Sequence, residues 1–219
     1  MNHAVRIRVL GILAAVAASA ACSRPDPAPA AGEPVARIAE VRRQPLGSMV
    51  TVEGVVTVPS GVIDAGFAVQ DATAGIYVAA DSATRVEPFQ VVRVSGRLAD
   101  NHGLLGIAPD SVAVRGAGRP PQPRAARTGE VGEATEGSLL ATGGTVAGPV
   151  VDDRPYGWKV TIDDGSGPLL VFVPVGAKMD VSGIRPGQRL RVVGFSGQYD
   201  DHHEILPRSQ ADLTVLGGP

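Results

Sequence analysis

The sequence predicts an all-β protein made of two tandem five-stranded Greek-key barrels, set behind an N-terminal signal peptide and a Pro/Ala tether. Three observations predict it. Valine-rich runs alternate apolar and polar residues with period 2, as in Val50/Val52 against Thr51/Glu53 and Val92/Val94 against Arg93/Ser95. Gly (28) and Pro (18) are frequent among 219 residues, and no stretch carries a long helical stripe. That composition favours short strands and tight turns. Finally, most of the chain is one unit written twice, the signature of an internal duplication.

The N-terminus comes first. Arg6 and Arg8 precede 13 uncharged residues, Val9 to Ala21. This run is shorter than the roughly 20 residues a helix needs to cross a bilayer. Its positive start, apolar centre and small-residue end are the parts of a secretory signal. The ending Ser19-Ala20-Ala21-Cys22 resembles a bacterial lipobox. That resemblance implies that Cys22 becomes the first mature residue and carries acyl chains, enough for stable anchoring. Ser23 after it resembles the default for outer-membrane delivery. A cut after Ala18-Ser19-Ala20 would instead leave Cys22 as a free thiol. Residues 24–32, Arg-Pro-Asp-Pro-Ala-Pro-Ala-Ala-Gly, read as an extended spacer. The expected organisation is signal 1–21, lipidated Cys and tether 22–35, first barrel 36–117, Pro/Arg linker 118–127 and second barrel 128–219.

The duplication is read by spacing. Gly47–Val56 aligns with Gly137–Val146 at 90 residues, and Val69-Gln70-Asp71 with Ile162-Asp163-Asp164 at 93. Val86, Pro88, Gln90, Arg93, Val94 and Gly96 match Ile184, Pro186, Gln188, Arg191, Val192 and Gly194, all at 98, as do Ile107 and Pro109 with Ile205 and Pro207. The spacing changes only between apolar runs, where insertions fall in loops. Each copy then reads as five strands, near 49–58, 67–70, 76–80, 91–98 and 111–114 in the first. In the second they fall near 139–147, 158–162, 169–173, 189–196 and 212–216. Asp71–Gly75 and Asp163–Gly167 supply turn chemistry. Five strands with a longer connection between the third and fourth suit an OB-type barrel, whose closure limits exposed edges.

The segments Gly47-x-x-Val50-Thr51-Val52-x-Gly54-x-Val56, Phe67-x-x-Gln70-Asp71-x-x-x-Gly75-Ile76-x-Val78 and Pro88-x-Gln90-x-Val92-Arg93-Val94-x-Gly96 together resemble a bacterial OB-fold module. Such modules accompany secreted nucleases and other exported nucleic-acid enzymes. The resemblance covers residues 36–116 and, more loosely, 128–216, where Thr161-Ile162-Asp163-Asp164 replaces the Gln-Asp step. It implies a fold and a binding role, with single-stranded nucleic acid as one partner. Its motifs are turn glycines and core valines, which specify a fold rather than a ligand.

Candidate ligand residues follow from where such barrels meet ligands, on strands two and three and in the loop between strands four and five. The rings there are Phe67 and Tyr77 in the first copy, Trp158 and Phe172 in the second. The loops contribute Asn101 and His102, then Tyr199, His202 and His203. Arg93, Arg97 and Arg191 are the candidate cations. The run Tyr199-Asp200-Asp201-His202-His203-Glu204 has enough imidazole and carboxylate for a metal, although adjacent strand residues point to opposite faces. A solvated loop is the simpler reading. A metal-dependent hydrolase built on Asp200, Asp201, His202 and Glu204 is a minority alternative.

One Cys excludes an internal disulfide and every multi-Cys metal centre. No nucleophile elbow, phosphate loop or His-Glu-x-x-His helix is present, so no catalytic residue, metal or cofactor is assigned. Charge weighs on the partner. After removal of the signal, 18 basic residues face 22 acidic ones, and the second copy alone has 7 against 12. Phosphate neutralisation dominates nucleic-acid affinity. A nucleic-acid accessory role therefore competes with that of an adaptor binding an envelope protein or glycan.

Overall fold

The structure is a computed structural model describing residues 34–216. The expected signal peptide, Cys22 and the expected tether, all within residues 1–33, lie outside the described residues. Among the described residues no helix is long and apolar enough to cross a membrane.

In the first copy, valines recur at alternate positions, as at Val50, Val52, Val56 and Val58 and at Val92 and Val94, and are buried. Strands β1 (Met49–Val58), β2 (Phe67–Gln70), β3 (Gly75–Val78), β4 (Gln90–Asn101) and β5 (Leu104–Ala117) close into a barrel in the order β1-β2-β3-β5-β4. All neighbours are antiparallel except β3 and β5. Val52, Phe67, Ile76, Val92 and Ile107 fill the interior without exposure. The one-turn helix α1 (Ile38–Val41) packs Ile38 and Val41 against that core. Its first amide donates to Asp71 Oδ2 at 2.9 Å.

The second copy forms another sheet. Its strands are β6 (Arg124–Ala125), β7 (Leu139–Val146), β8 (Val151–Asp153), β9 (Gly157–Asp163), β10 (Pro168–Pro174), β11 (Arg189–Tyr199), β12 (His202–Leu206) and β13 (Leu213–Val215). The order is β13-β11-β12-β10-β9-β7-β6, with β8 on β9 and a further β11–β7 pairing. The pairings β7–β9, β9–β10, β10–β12, β12–β11 and β11–β7 thus repeat the neighbour sequence of the first barrel. They enclose a core of Leu140, Val160, Ile162, Val171, Leu190, Val192 and Ile205.

Two strand placements differ from expectation. The first copy's fifth strand begins at Leu104 rather than near 111, because Gly106 and Pro109 are accommodated within β5. In the second copy the partner of both β11 and β10 is β12, and the segment near 212–216 is only a short edge strand on β11. Residues 199–204 are therefore a tight hairpin instead of an open loop. Within the 118–127 segment, Arg124 and Ala125 pair with Leu140 and Ala141 of β7.

From Pro34 onward the chain is one compact unit. A third apolar cluster joins the copies: Val58, Val62, Ala68, Tyr77 and Leu104 pack with Phe195 and Leu206. Polar groups lock the same junction. Arg42 Nη2 donates to Glu136 Oε1 at 2.9 Å, and the Leu105 amide donates to that oxygen at 3.3 Å. The Leu139 amide donates to Gln70 Oε1, and Arg208 Nη1 to the Thr57 carbonyl, each at 2.9 Å. Gly75 and Gly137 meet back to back: a Cβ on Gly75 would lie 1.9 Å from the Gly137 carbonyl oxygen.

Candidate functional site

The β4–β5 and β11–β12 hairpins occupy equivalent positions in the two copies, and their turns touch. The first turn is His102-Gly103, with φ of 56° and 87°, a two-residue turn of the kind that matches strand twist. The second is Asp200-Asp201, with Asp200 at φ 50°. A left-handed backbone at His102 and Asp200 carries strain that glycine would avoid, and such strain clusters at functional sites.

Across the contact, His102 Nδ1 lies 3.2 Å from Asp200 Oδ1, and the Asp200 amide donates to the His102 carbonyl at 2.6 Å. Residues 102 and 200 are themselves 98 apart, the spacing of the duplication, so each turn meets its own counterpart. The His102 ring stacks on Tyr199, with centroids 5.0 Å apart and planes inclined by 18°. His202 lies beyond Tyr199 at 6.1 Å. Side chains of His102 and His202 are 60% and 42% exposed, and Tyr199 is 50% exposed. Three rings from two hairpins thus form one solvent-facing row.

Carboxylates frame this row. His202 Nδ1 is 3.6 Å from Asp201, and its Nε2 is 3.9 Å from Glu204. Glu204 is buried, and that burial pushes its carboxyl up to about 7, against a smaller opposing effect from Lys159. Lys159 itself pairs with Asp153 at 2.9 Å. Among the described residues, no group of three or more His, Cys, Asp or Glu side chains is arranged to hold a metal ion. His203 projects to the other side, near Gly132, and its Nδ1 is buried without a hydrogen-bond partner. The two adjacent histidines therefore do not converge on one point.

The other sequence candidates are dispersed. Phe67 is wholly buried in the first core. Tyr77 is buried at the junction, 6.5 Å from Phe195, and burial pushes its phenol up to about 12. Neither ring has a face open for stacking. Trp158 packs on the second core and lines a groove of about 470 Å³ with Met179 and Ile184. Phe172 is partly buried against the junction cluster. Arg93 is paired with Glu53 at 3.1 Å. Arg97 donates to the Gly47 carbonyl at 3.2 Å and lines a groove of about 570 Å³ with Arg85 and Asp110. Asn101 ends β4 beside the His102 turn, and Arg191 lies exposed on β11.

The structure thus unites Asn101, His102, Tyr199 and His202, which the sequence placed in two separate loops. Sequence reading missed the framing roles of Asp200 and Glu204 in this surface. The 98-residue spacing between His102 and Asp200 was the one available signal.

No protein-family model matches the chain, and no curated protein matches it. Solved structures offer distant likenesses. The hypothetical protein YgiW from E. coli shares 16% identity over 37% of this chain and 90% of its own, with a TM-score of 0.33. A murine DNA-binding protein bound with double-stranded DNA shares 11% identity over 77% of this chain and 97% of its own, TM-score 0.37. The tetrameric p202 HIN2 shares 14% identity over 78% and 95%, TM-score 0.36. At these scores the likenesses carry no inference about ligand.

Proposed function

We propose that the chain is a non-catalytic binding protein of the cell envelope, anchored through Cys22 at the outer membrane. In this reading it comprises two tandem OB-type Greek-key barrels fused into one body. Its contact surface is the joined pair of hairpin tips. The observation that carries this is the exposed His102–Tyr199–His202 row, held across the two copies by the His102–Asp200 contact. Ring faces offer stacking area, while Asp200, Asp201 and Asn101 offer hydrogen-bond acceptors for hydroxyl or amide donors. Phosphate repels such carboxylates. The surface therefore suits a neutral polyhydroxylated ligand, an envelope glycan, and OB barrels are a fold that takes oligosaccharides. A nucleic-acid accessory role keeps its support from the module resemblance, and the net acidity of the second copy opposes it.

Titration of the mature protein with soluble cell-wall glycan fragments and, separately, with labelled single-stranded DNA tests this. Glycan binding that weakens about two- to tenfold in Tyr199→Ala is expected, from the roughly 0.5–1.5 kcal/mol of a ring contact. DNA binding that falls steeply with salt and ignores Tyr199 would replace the glycan reading.

A further inference from the structure

The duplication exposes a second surface. In the first barrel, Glu53 of β1 and Arg93 of β4 are register partners and form an ion pair, with Val55 and Val91 as the next pair on that face. The same registers in the second copy are Gly143 with Arg191 and Thr145 with Arg189. An acid has become glycine and a valine has become arginine. Leu190 and Val192 point into the core, so alternation directs Arg189 and Arg191 outward, and both are exposed. Among the described residues, neither guanidinium has an ion pair or side-chain hydrogen bond. Asp163, one strand beyond Thr145, uses its carboxylate on the Gly165 and Gly167 amides. On the other side of β11, β13 places Thr214 beside Arg191, and the Leu216 amide donates to the Arg189 carbonyl. Leu216 is 60% exposed.

We infer that Arg189, Arg191 and Leu216 form a docking strip for the anionic headgroup surface of the bilayer. Two unpaired guanidinium groups beside an exposed leucine combine charge attraction with apolar contact, the two ingredients of interfacial binding. The inference rests on the anchored reading above. Eleven residues lie between Cys22 and Pro34, a reach of at most about 40 Å, which keeps the folded unit within that distance of the bilayer. The geometry also gives the strip a purpose. Arg191 and Tyr199 lie eight residues apart on β11, about 26 Å along a strand. Docking the Arg189/Arg191 end would therefore hold the hairpin tips away from the bilayer and towards their ligand.

The test uses the mature chain from Ser23, which lacks Cys22 and contains both cores complete. It is titrated with phosphatidylglycerol/phosphatidylcholine vesicles and with phosphatidylcholine vesicles at low salt. Partitioning about tenfold or more stronger on the anionic vesicles is expected, at roughly 1 kcal/mol per basic residue. Arg189→Glu/Arg191→Glu should abolish that preference, Leu216→Ser should weaken binding on both, and Arg93→Gln, at the paired site, should change nothing. Equal partitioning on the two vesicles, or an undiminished preference in the double variant, overturns the inference, as does tighter binding to single-stranded DNA than to anionic vesicles. Intact mass of the mature N-terminus is scored separately: an unmodified Cys22 would sink the anchor and leave the vesicle result standing.

Discussion

Two buried carboxylates set the energetics at the level of single residues. Glu136 is only 1% exposed and has Arg42 as its counter-charge. Desolvation is the larger influence and raises its pKa, partly offset by the Arg42 contact, and its Oε2 is left without a partner. Removing one member of such a pair strands the other charge in the interior. Arg42→Ala is therefore expected to cost about 3–5 kcal/mol in urea unfolding, whereas Arg42→Met/Glu136→Leu should recover most of the loss. Glu204 gives a pH signature. Its folded carboxyl is raised from 4.5 to about 7 by burial, so the folded state holds a proton that the unfolded state releases earlier. Its stabilising contribution is complete below about 4.5 and is lost as pH rises through about 7. The full effect is at most about 3 kcal/mol, given 1.36 kcal/mol per pH unit. Glu204→Gln should flatten that part of the stability profile, and a profile unchanged by the substitution would exclude the assignment.

The hairpins, at the level of elements, separate structure from binding. Tyr77 on β3 and Tyr199 on β11 are both rings on strands near the junction, yet one is buried and the other half open. Tyr77→Ala is expected to cost about 3 kcal/mol, as for a large ring removed from a core, with ligand affinity retained in the folded fraction. Tyr199→Ala should leave stability within about 0.5 kcal/mol and lower affinity.

How much of this was legible follows from the same elements. β1 and β2 are found at the residues read for them, because the valine periodicity of β1 and the glycines Gly47 and Gly66 ahead of the two strands report local structure. β12 was illegible because Asp200-Asp201-His202-His203-Glu204 shows no apolar alternation. Its place in the sheet depends on β10, where Leu170 pairs with Glu204, as well as on the adjoining β11. The burial of Tyr77 was equally hidden, since it depends on Phe195, 118 positions away. Local patterns carried the strands, but the joined surface arises from contacts between copies.

For the whole molecule, the junction makes the barrel and the second sheet one body. Its apolar cluster, the Arg42–Glu136 pair and the Gly75–Gly137 contact all bridge the copies. The chain should therefore unfold in a single transition by both circular dichroism and intrinsic fluorescence. Gly75→Ala, which forces the copies apart, should lower that midpoint or split the transition. Two separate transitions in the unsubstituted protein would show the two copies to be independent.

The central claim is that the fused hairpin tips are the binding surface. Hydrogen exchange of the mature protein with and without soluble cell-wall glycan fragments tests it most directly. Protection should appear at Asn101–Leu104 and Gln198–Glu204 together, and be lost in Tyr199→Ala. Protection confined to one hairpin, or falling on strands away from both, would contradict the account.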